Sequence, residues 1–236
     1  MSHVKNVQAF GKLTGICTGY GGTYNPGQQN LQANAMAAKL NIAQQMMEEV
    51  NEAQTFYDYA SNTRVVGFRG VRKLSSRICA LLKSCGAHPL TVKDALASNR
   101  KLWGVKRTPL PEVKEGQEKP KTTATSGHDF ASLVQHFARL VETVSAEAKY
   151  KPNETELTIA GLRQKVAELR SLNDAATQAE IDLSQARRKR NALYYVDEGN
   201  LFSTAIAAKQ YVRGVFGYNS SQHQEVRRVR FVKPKQ

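Results

Sequence analysis

Apolar residues at Ile159, Leu162, Val166, Leu169, Leu172, Ala176, Ala179, Leu183 and Ala186 follow one another in steps of three and four. That is the spacing of one buried face on a long amphipathic helix. Shifted 126 residues upstream, the same steps fall on Ala33, Met36, Leu40, Ala43, Met46, Val50, Ala53, Tyr57 and Ala60, each apolar or aromatic. One ungapped offset carrying one stripe through nine positions predicts two equivalent helices. The same offset sets YNPGQQNL (24–31) over YKPNETEL (150–157), pairing Tyr24 with Tyr150, Pro26 with Pro152 and Leu31 with Leu157. Proline is tolerated in a first turn, so each helix is expected to begin near its proline, with Asn153 capping the second. Running to about Val66 and Tyr195, each would span ~40 residues, or ~60 Å at the α-helical rise.

Helices of that length need partners along the whole stripe. Val71, Leu74, Ile78, Leu81 and Leu82 predict a shorter helix closed by Gly86, and Phe202, Ala205, Ile206, Val212 and Phe216 predict another closed by Gly217. The glycines are offset by 131, which places an insertion of about five residues within VDEGN (196–200). Phe130, Leu133, Phe137, Leu140 and Val144 predict a connecting helix over 128–149, and residues 89–101 read as a short helix. The expected fold class is all-α: one antiparallel helical-bundle domain with an internal pseudo-two-fold duplication, its repeats covering 28–104 and 150–225. Residues 1–27 read as a flexible N-terminal lead-in, and 105–127, with three prolines and many charges, as a flexible loop. Residues 226–236 read as a basic C-terminal tail, with a short strand over 226–232 as the alternative.

The glycines of TGYGGTYNPGQQNL (18–31) invite a phosphate-loop reading. No lysine follows the last of them, and Tyr24 stands where G-x-G-x-x-G needs its third glycine. YKPNETEL also begins its helix without preceding glycines, so no nucleotide site is expected there.

YKPNETEL, ARRKRNALYY (186–195) and AKQYVRGVFGYNSSQHQEVRRVRF (208–231) also carry a resemblance. The chain resembles a family of uncharacterised bacterial basic helical-bundle proteins with a Tyr-x-Pro-Asn-Glu helix start and a Tyr-Val-x-x-x-Phe-Gly signature near the C-terminus. The likeness spans most of residues 30–232. It implies a helical bundle with no known activity, and no functional residue carries over from it.

The 236 residues allow one large domain or two small ones, and 41% hydrophobic with 8% aromatic content suits an aliphatic, alanine-rich core. Cys17, Cys79 and Cys85 are sparse, and the last two sit on different faces of one helix. Free thiols in a reducing compartment are therefore expected. With no signal-peptide core and no stretch of ~18 apolar residues, the chain is expected to be cytoplasmic, with no membrane partner.

Charge adds most to the picture. The net charge is +14 and the pI about 9.8. Residues 61–125 carry ten more cations than acids and 201–236 carry six more, while 1–60 and 126–200 each carry one fewer. Helix C-termini favour cations by ~0.3–1 kcal/mol each, which accounts for a residue or two per helix and not for this excess. A basic pole on a near-neutral shaft is expected, docking on nucleic acid or, alternatively, on an acidic protein. Its candidate residues are Arg64, Arg69, Arg72, Lys73, Arg100, Lys101, Arg187, Arg188, Lys189, Arg190, Arg227, Arg228, Arg230 and Phe231. Arg64 and Arg190 are equivalent by the 126 offset and fall on the stripe, so each needs a fixed partner. An acid such as Asp58, Asp94, Asp197 or Glu198 would serve; the sharper alternative is a twin-arginine phosphate site. Trp103 is expected to close the core, whereas Phe231 is equally consistent with core packing and with base stacking.

Catalytic patterns are weak. Cys79, Cys85 and His88 have poor zinc spacing, no Glu-x-x-His pair suits a di-iron bundle, and Ser75, Ser76 and Ser203 lack an identifiable His and Asp arrangement. No catalytic residue, metal or cofactor is expected. The expected function is non-enzymatic docking on nucleic acid through phosphates, with structured RNA or ribosomal surfaces ahead of duplex DNA. The alternative is a structural or assembly protein acting through self-association or an acidic protein partner.

Overall fold

The structure is a computed structural model that describes residues 2–104 and 129–232. Among these residues it is all-α with no β-strand, as the periodicity predicts. The order is α1 (Ser2–Gly19), α2 (Ala33–Gly67), α3 (Val71–Ser84), α4 (Pro89–Trp103), α5 (Phe130–Ser145), α6 (Ile159–Asn191), α7 (Leu201–Phe216) and α8 (Ser221–Arg228). The loop expected over 105–127 lies outside the described residues, as does the end of the tail beyond Val232.

The chain divides into two compact units, with both boundaries inside the long helices. A terminal unit comprises Met1–Asp58 and Ala179–Gln236, and a central unit comprises Tyr59–Gln178. The stripe supplies both cores: none of its eighteen positions is exposed. In the central unit Leu162, Val166 and Leu169 of α6 meet Ile78 and Leu82 of α3, Leu102 of α4, and Phe137 and Leu140 of α5. In the terminal unit Met36 and Ala43 of α2 join Phe10 and Leu13 of α1, Tyr194, and Leu201, Ala205 and Val212 of α7.

The shared Tyr-x-Pro motif builds the same turn in each unit. Buried Tyr24 donates its hydroxyl to the Leu31 carbonyl at 2.8 Å, and buried Tyr150 donates to the Leu157 carbonyl at 3.1 Å. A short 3-10 turn lies inside each loop, Gln29–Leu31 and Thr155–Leu157. The long helices therefore start at Ala33 and Ile159, not at the prolines, and run for 35 and 33 residues. Thr158, not Asn153, caps α6, its hydroxyl oxygen accepting the Gly161 N–H at 3.1 Å. Beyond Asn191, α6 passes into a π-helical turn over Ala192–Val196. Gly86 and Gly217 both take positive φ after α3 and α7, 70° and 89°, but Gly217, with ψ of 159°, lies outside the left-handed helical conformation expected of it.

The flexible lead-in is a second correction. Residues 2–19 form α1, and Phe10, Leu13 and Cys17 are fully buried. Val7, Phe10, Leu13 and Cys17 stand 127 residues before Val134, Phe137, Leu140 and Val144 of α5, and all eight are buried. The helix expected to connect the halves is thus central-unit core, and α1 is core of the terminal unit. Val71, Ser75, Ile78 and Leu82 of α3 likewise match Leu201, Ala205, Ala208 and Val212 of α7 at an offset of 130. Residues 226–228, expected in the tail, belong to α8, and no strand forms among the described residues there.

Candidate nucleic-acid interface

In the central unit, α3 turns Val71, Ser75, Ile78 and Leu82 into the core and leaves Arg72 and Lys73 exposed. Three side-chain hydrogen bonds tie the start of this helix to the last turn of α4. Arg72 Nε donates to the Leu102 carbonyl at 2.9 Å, Ser75 Oγ to Asn99 Oδ1 at 2.7 Å, and Trp103 Nε1 to Ser76 Oγ at 3.0 Å. They bring Arg69, Arg72 and Lys73 to the same end of the α3–α4 pair as Arg100 and Lys101. All five cations are exposed, and among the described residues none has an ion-pair partner. Asp94 is the only acid between Tyr59 and Gly104. Cations with nothing opposing them make a surface whose potential is not cancelled locally.

Trp103 departs from expectation. It is 50% exposed, and its neighbour Leu102 fills the core.

Arg64 is half-buried, as its stripe position requires, but no acid meets it among the described residues. Its guanidinium lies 4.3 Å from the centre of the Phe130 ring, and Nη1 donates to Asn173 Oδ1 at 3.4 Å. Its buried Nε has no hydrogen-bond partner. Stacking on an aromatic face is a mode open to the weakly hydrated guanidinium, and it replaces the expected ion pair.

In the terminal unit Arg190 also lacks the expected acid. Its Nε and Nη2 donate to Asn191 Oδ1 at 3.2 and 2.9 Å. Burial lowers its pKa, while nearby Tyr194 and Tyr195 act in the opposite sense. Arg187 Nη2 donates to Gln54 Oε1 at 2.7 Å. Arg188, Lys189, Arg227, Arg228 and Arg230 are exposed and unpaired among the described residues. Arg64 and Arg190 belong to different units, each held by its own neighbours.

Phe231 is a packing residue. It is half-buried, sits edge-on to Phe202 at 6.3 Å and lies beneath Lys209 Nζ at 5.0 Å. Lys209 donates in turn to the Val229 carbonyl. Asn6 closes this segment with a reciprocal pair, donating to the Val232 carbonyl at 2.7 Å and accepting its N–H at 2.9 Å. Asn6 also donates to Tyr195 Oη at 3.0 Å, and that oxygen lies 3.0 Å from His3 Nδ1. Burial first, then Arg190 and the N-terminus, lower the His3 pKa. None of Asn6, Ser76 or Lys209 carries a sequence signal, because each acts through a partner outside its own helical period.

The candidate zinc string has other uses. His88 Nδ1 accepts the Leu90 N–H at 3.3 Å and caps α4. The three cysteines are free, and burial pushes the Cys79 thiol up to about 11. Among the described residues, no helix is long and apolar enough to cross a membrane.

No protein-family model, curated protein or solved structure matches this chain.

Proposed function

We propose that the protein is a non-enzymatic helical scaffold that docks on nucleic acid through phosphate contacts, with structured RNA the preferred partner. The observation that carries this reading is the group of five exposed cations, Arg69, Arg72, Lys73, Arg100 and Lys101, gathered at one end of the α3–α4 pair with no ion-pair partner among the described residues. The unpaired Arg188, Lys189, Arg227, Arg228 and Arg230 offer the terminal unit a basic surface of its own. Phosphate neutralisation positions a nucleic acid without reading its bases, so low sequence specificity goes with this surface. The matched buried positions and paired Tyr–Leu bonds support an internal duplication as the origin of the scaffold.

The test is binding of a labelled RNA hairpin and a labelled DNA duplex at ~50 and ~200 mM salt, a range over which several phosphate contacts cost orders of magnitude in affinity. Binding that collapses across this range is expected, with the hairpin held more tightly. Absent or salt-insensitive binding overturns the reading.

A second reading, self-association, is favoured by Tyr59 and Val66 of the central unit. They are 72% and 58% exposed and stand seven residues apart on one face of α2. A defined oligomer in light scattering, disrupted by Tyr59→Ser with Val66→Ser, would support it; a monomer at all concentrations would exclude it.

A further inference from the structure

Trp103 is the chain's single tryptophan, and attraction of phosphates by cations gives it no role. It ends α4 half in water although Leu102 already closes that end of the core. Leaving so large an apolar ring exposed forgoes the burial that normally places tryptophan inside. The ring is nevertheless anchored. Its N–H is held by Ser76 Oγ at 3.0 Å, and Ser76 Oγ in turn donates to the Arg72 carbonyl at 3.2 Å. The Arg72 guanidinium reaches back to the Leu102 carbonyl. Tryptophan, serine and arginine thus close a small circuit between the two helices, with Arg69, Lys73, Arg100 and Lys101 at the same end. The result is an oriented, half-exposed aromatic ring among cations that have no ion-pair partner among the described residues.

Bases within a duplex stack on one another and have no free face for a side chain. Unpaired bases do, and stacking on an aromatic ring beside cations that follow the backbone is how single strands are held without sequence preference. We propose that this end of the α3–α4 pair binds an unpaired nucleic-acid strand, one base stacking on Trp103 while the flanking cations neutralise adjacent phosphates. The inference rests on the nucleic-acid reading above and specifies its strand class.

Because Trp103 is the only tryptophan, its emission reports on this site alone. The full-length chain is titrated with a short oligouridylate and with an RNA duplex of equal length, following Trp103 emission and the anisotropy of an end label. Oligouridylate is expected to quench Trp103 saturably, and the duplex to bind without quenching it. Trp103→Ala is expected to weaken oligouridylate binding about 5- to 150-fold and leave duplex binding unchanged. Trp103→Phe, which keeps a stacking face, should restore most of the loss. Circular dichroism checks the fold of each variant; if the alanine variant unfolds, quenching of the natural chain and the phenylalanine variant decide the matter. Salt-sensitive oligouridylate binding with unchanged emission and full affinity in both variants overturns the stacking site and leaves phosphate docking standing. If neither nucleic acid binds, both readings fall.

Discussion

Several positions matched in sequence are buried in both units, among them Met36 with Leu162 and Ala43 with Leu169, but the units use their cations differently. In the terminal unit, Lys39 donates to the Gly199 carbonyl and, at 2.8 Å, to the Thr204 hydroxyl, and burial lowers its pKa. At the matching position of the central unit, Lys165 reaches only Glu168, at 2.8 Å on its own helix. Lys209 and Arg213 of the terminal unit lie over Phe231 and Tyr218, and Arg187 and Arg190 are engaged by Gln54 and Asn191. In the central unit the cations at the end of α3 and α4 remain open, apart from the Nε of Arg72. An equivalent place in a core determines which residues are buried and leaves the chemistry of the surface unconstrained. The units thus differ in which particular cations are already held by the protein, and the terminal unit keeps Arg188, Lys189, Arg227, Arg228 and Arg230 open.

The equivalence of the cores can be broken most severely at Phe10 and Phe137, which match at the 127 offset and are both fully buried. Phe10→Ala and Phe137→Ala should each cost about 3–5 kcal/mol in urea unfolding. A negligible cost at Phe10 would return residues 1–27 to the status of a loose lead-in. Next comes a position where the units differ. A Cβ added at Gly161 would lie 2.2 Å from the Thr155 carbonyl oxygen, whereas Ala35 occupies the matching position of α2. Gly161→Ala should cost about 1–3 kcal/mol by overpacking, and Ala35→Gly only about 0.5–1 kcal/mol through helix entropy. Thermal denaturation of the pair checks the order, and equal costs would erase the distinction.

Smaller effects are expected at the paired tyrosines. Tyr24→Phe and Tyr150→Phe should each cost about 0.5–1.5 kcal/mol, because one hydrogen bond to a carbonyl is lost. Burial, followed by the nearby cysteines, pushes the Tyr150 phenol up to about 12 from its ordinary value of 10. Burial likewise raises the pKa of Tyr24. A phenol raised on folding contributes stability that is complete below its unfolded value, so that share is present below pH 10 and is lost as pH climbs toward 12. Urea midpoints across this window should fall less steeply in Tyr150→Phe than in the natural chain.

The fold was legible to the extent that it is periodic. The stripe at 126 residues predicted both long helices, because a buried face must recur with the turn of the helix. Its reach stopped at α1, whose Phe10 and Leu13 stand among Gly11, Thr14 and Gly15 in a segment that reads as loose. The helix starts were displaced because Tyr24 and Tyr150 hold a turn after each proline, a tertiary bond that local propensity does not encode. At the candidate interface, the cationic segments were visible from charge counting alone. Their division into held and free residues was not, because Arg64 and Arg190 find an aromatic ring and an amide where spacing suggested acids. The expectation that Trp103 closes the core fails at the end of α4. The alternation of buried Leu102 with exposed Trp103 depends on the last turn of α4.

The central claim, that the uncommitted cations of the central unit carry nucleic-acid binding, is tested most directly by the salt dependence of RNA affinity. Two quadruple variants of equal net charge are compared with the natural chain: Arg69, Lys73, Arg100 and Lys101 changed to alanine in one, and Lys5, Lys12, Arg139 and Lys151, exposed elsewhere, in the other. Each phosphate contact contributes about 0.7–0.9 to the slope of log K against log salt. The first variant should lose about 2–4 from that slope, and the second should match the natural chain, because the contacts follow place and not total charge. Equal slopes in all three proteins, or equal losses in both variants, would contradict the account.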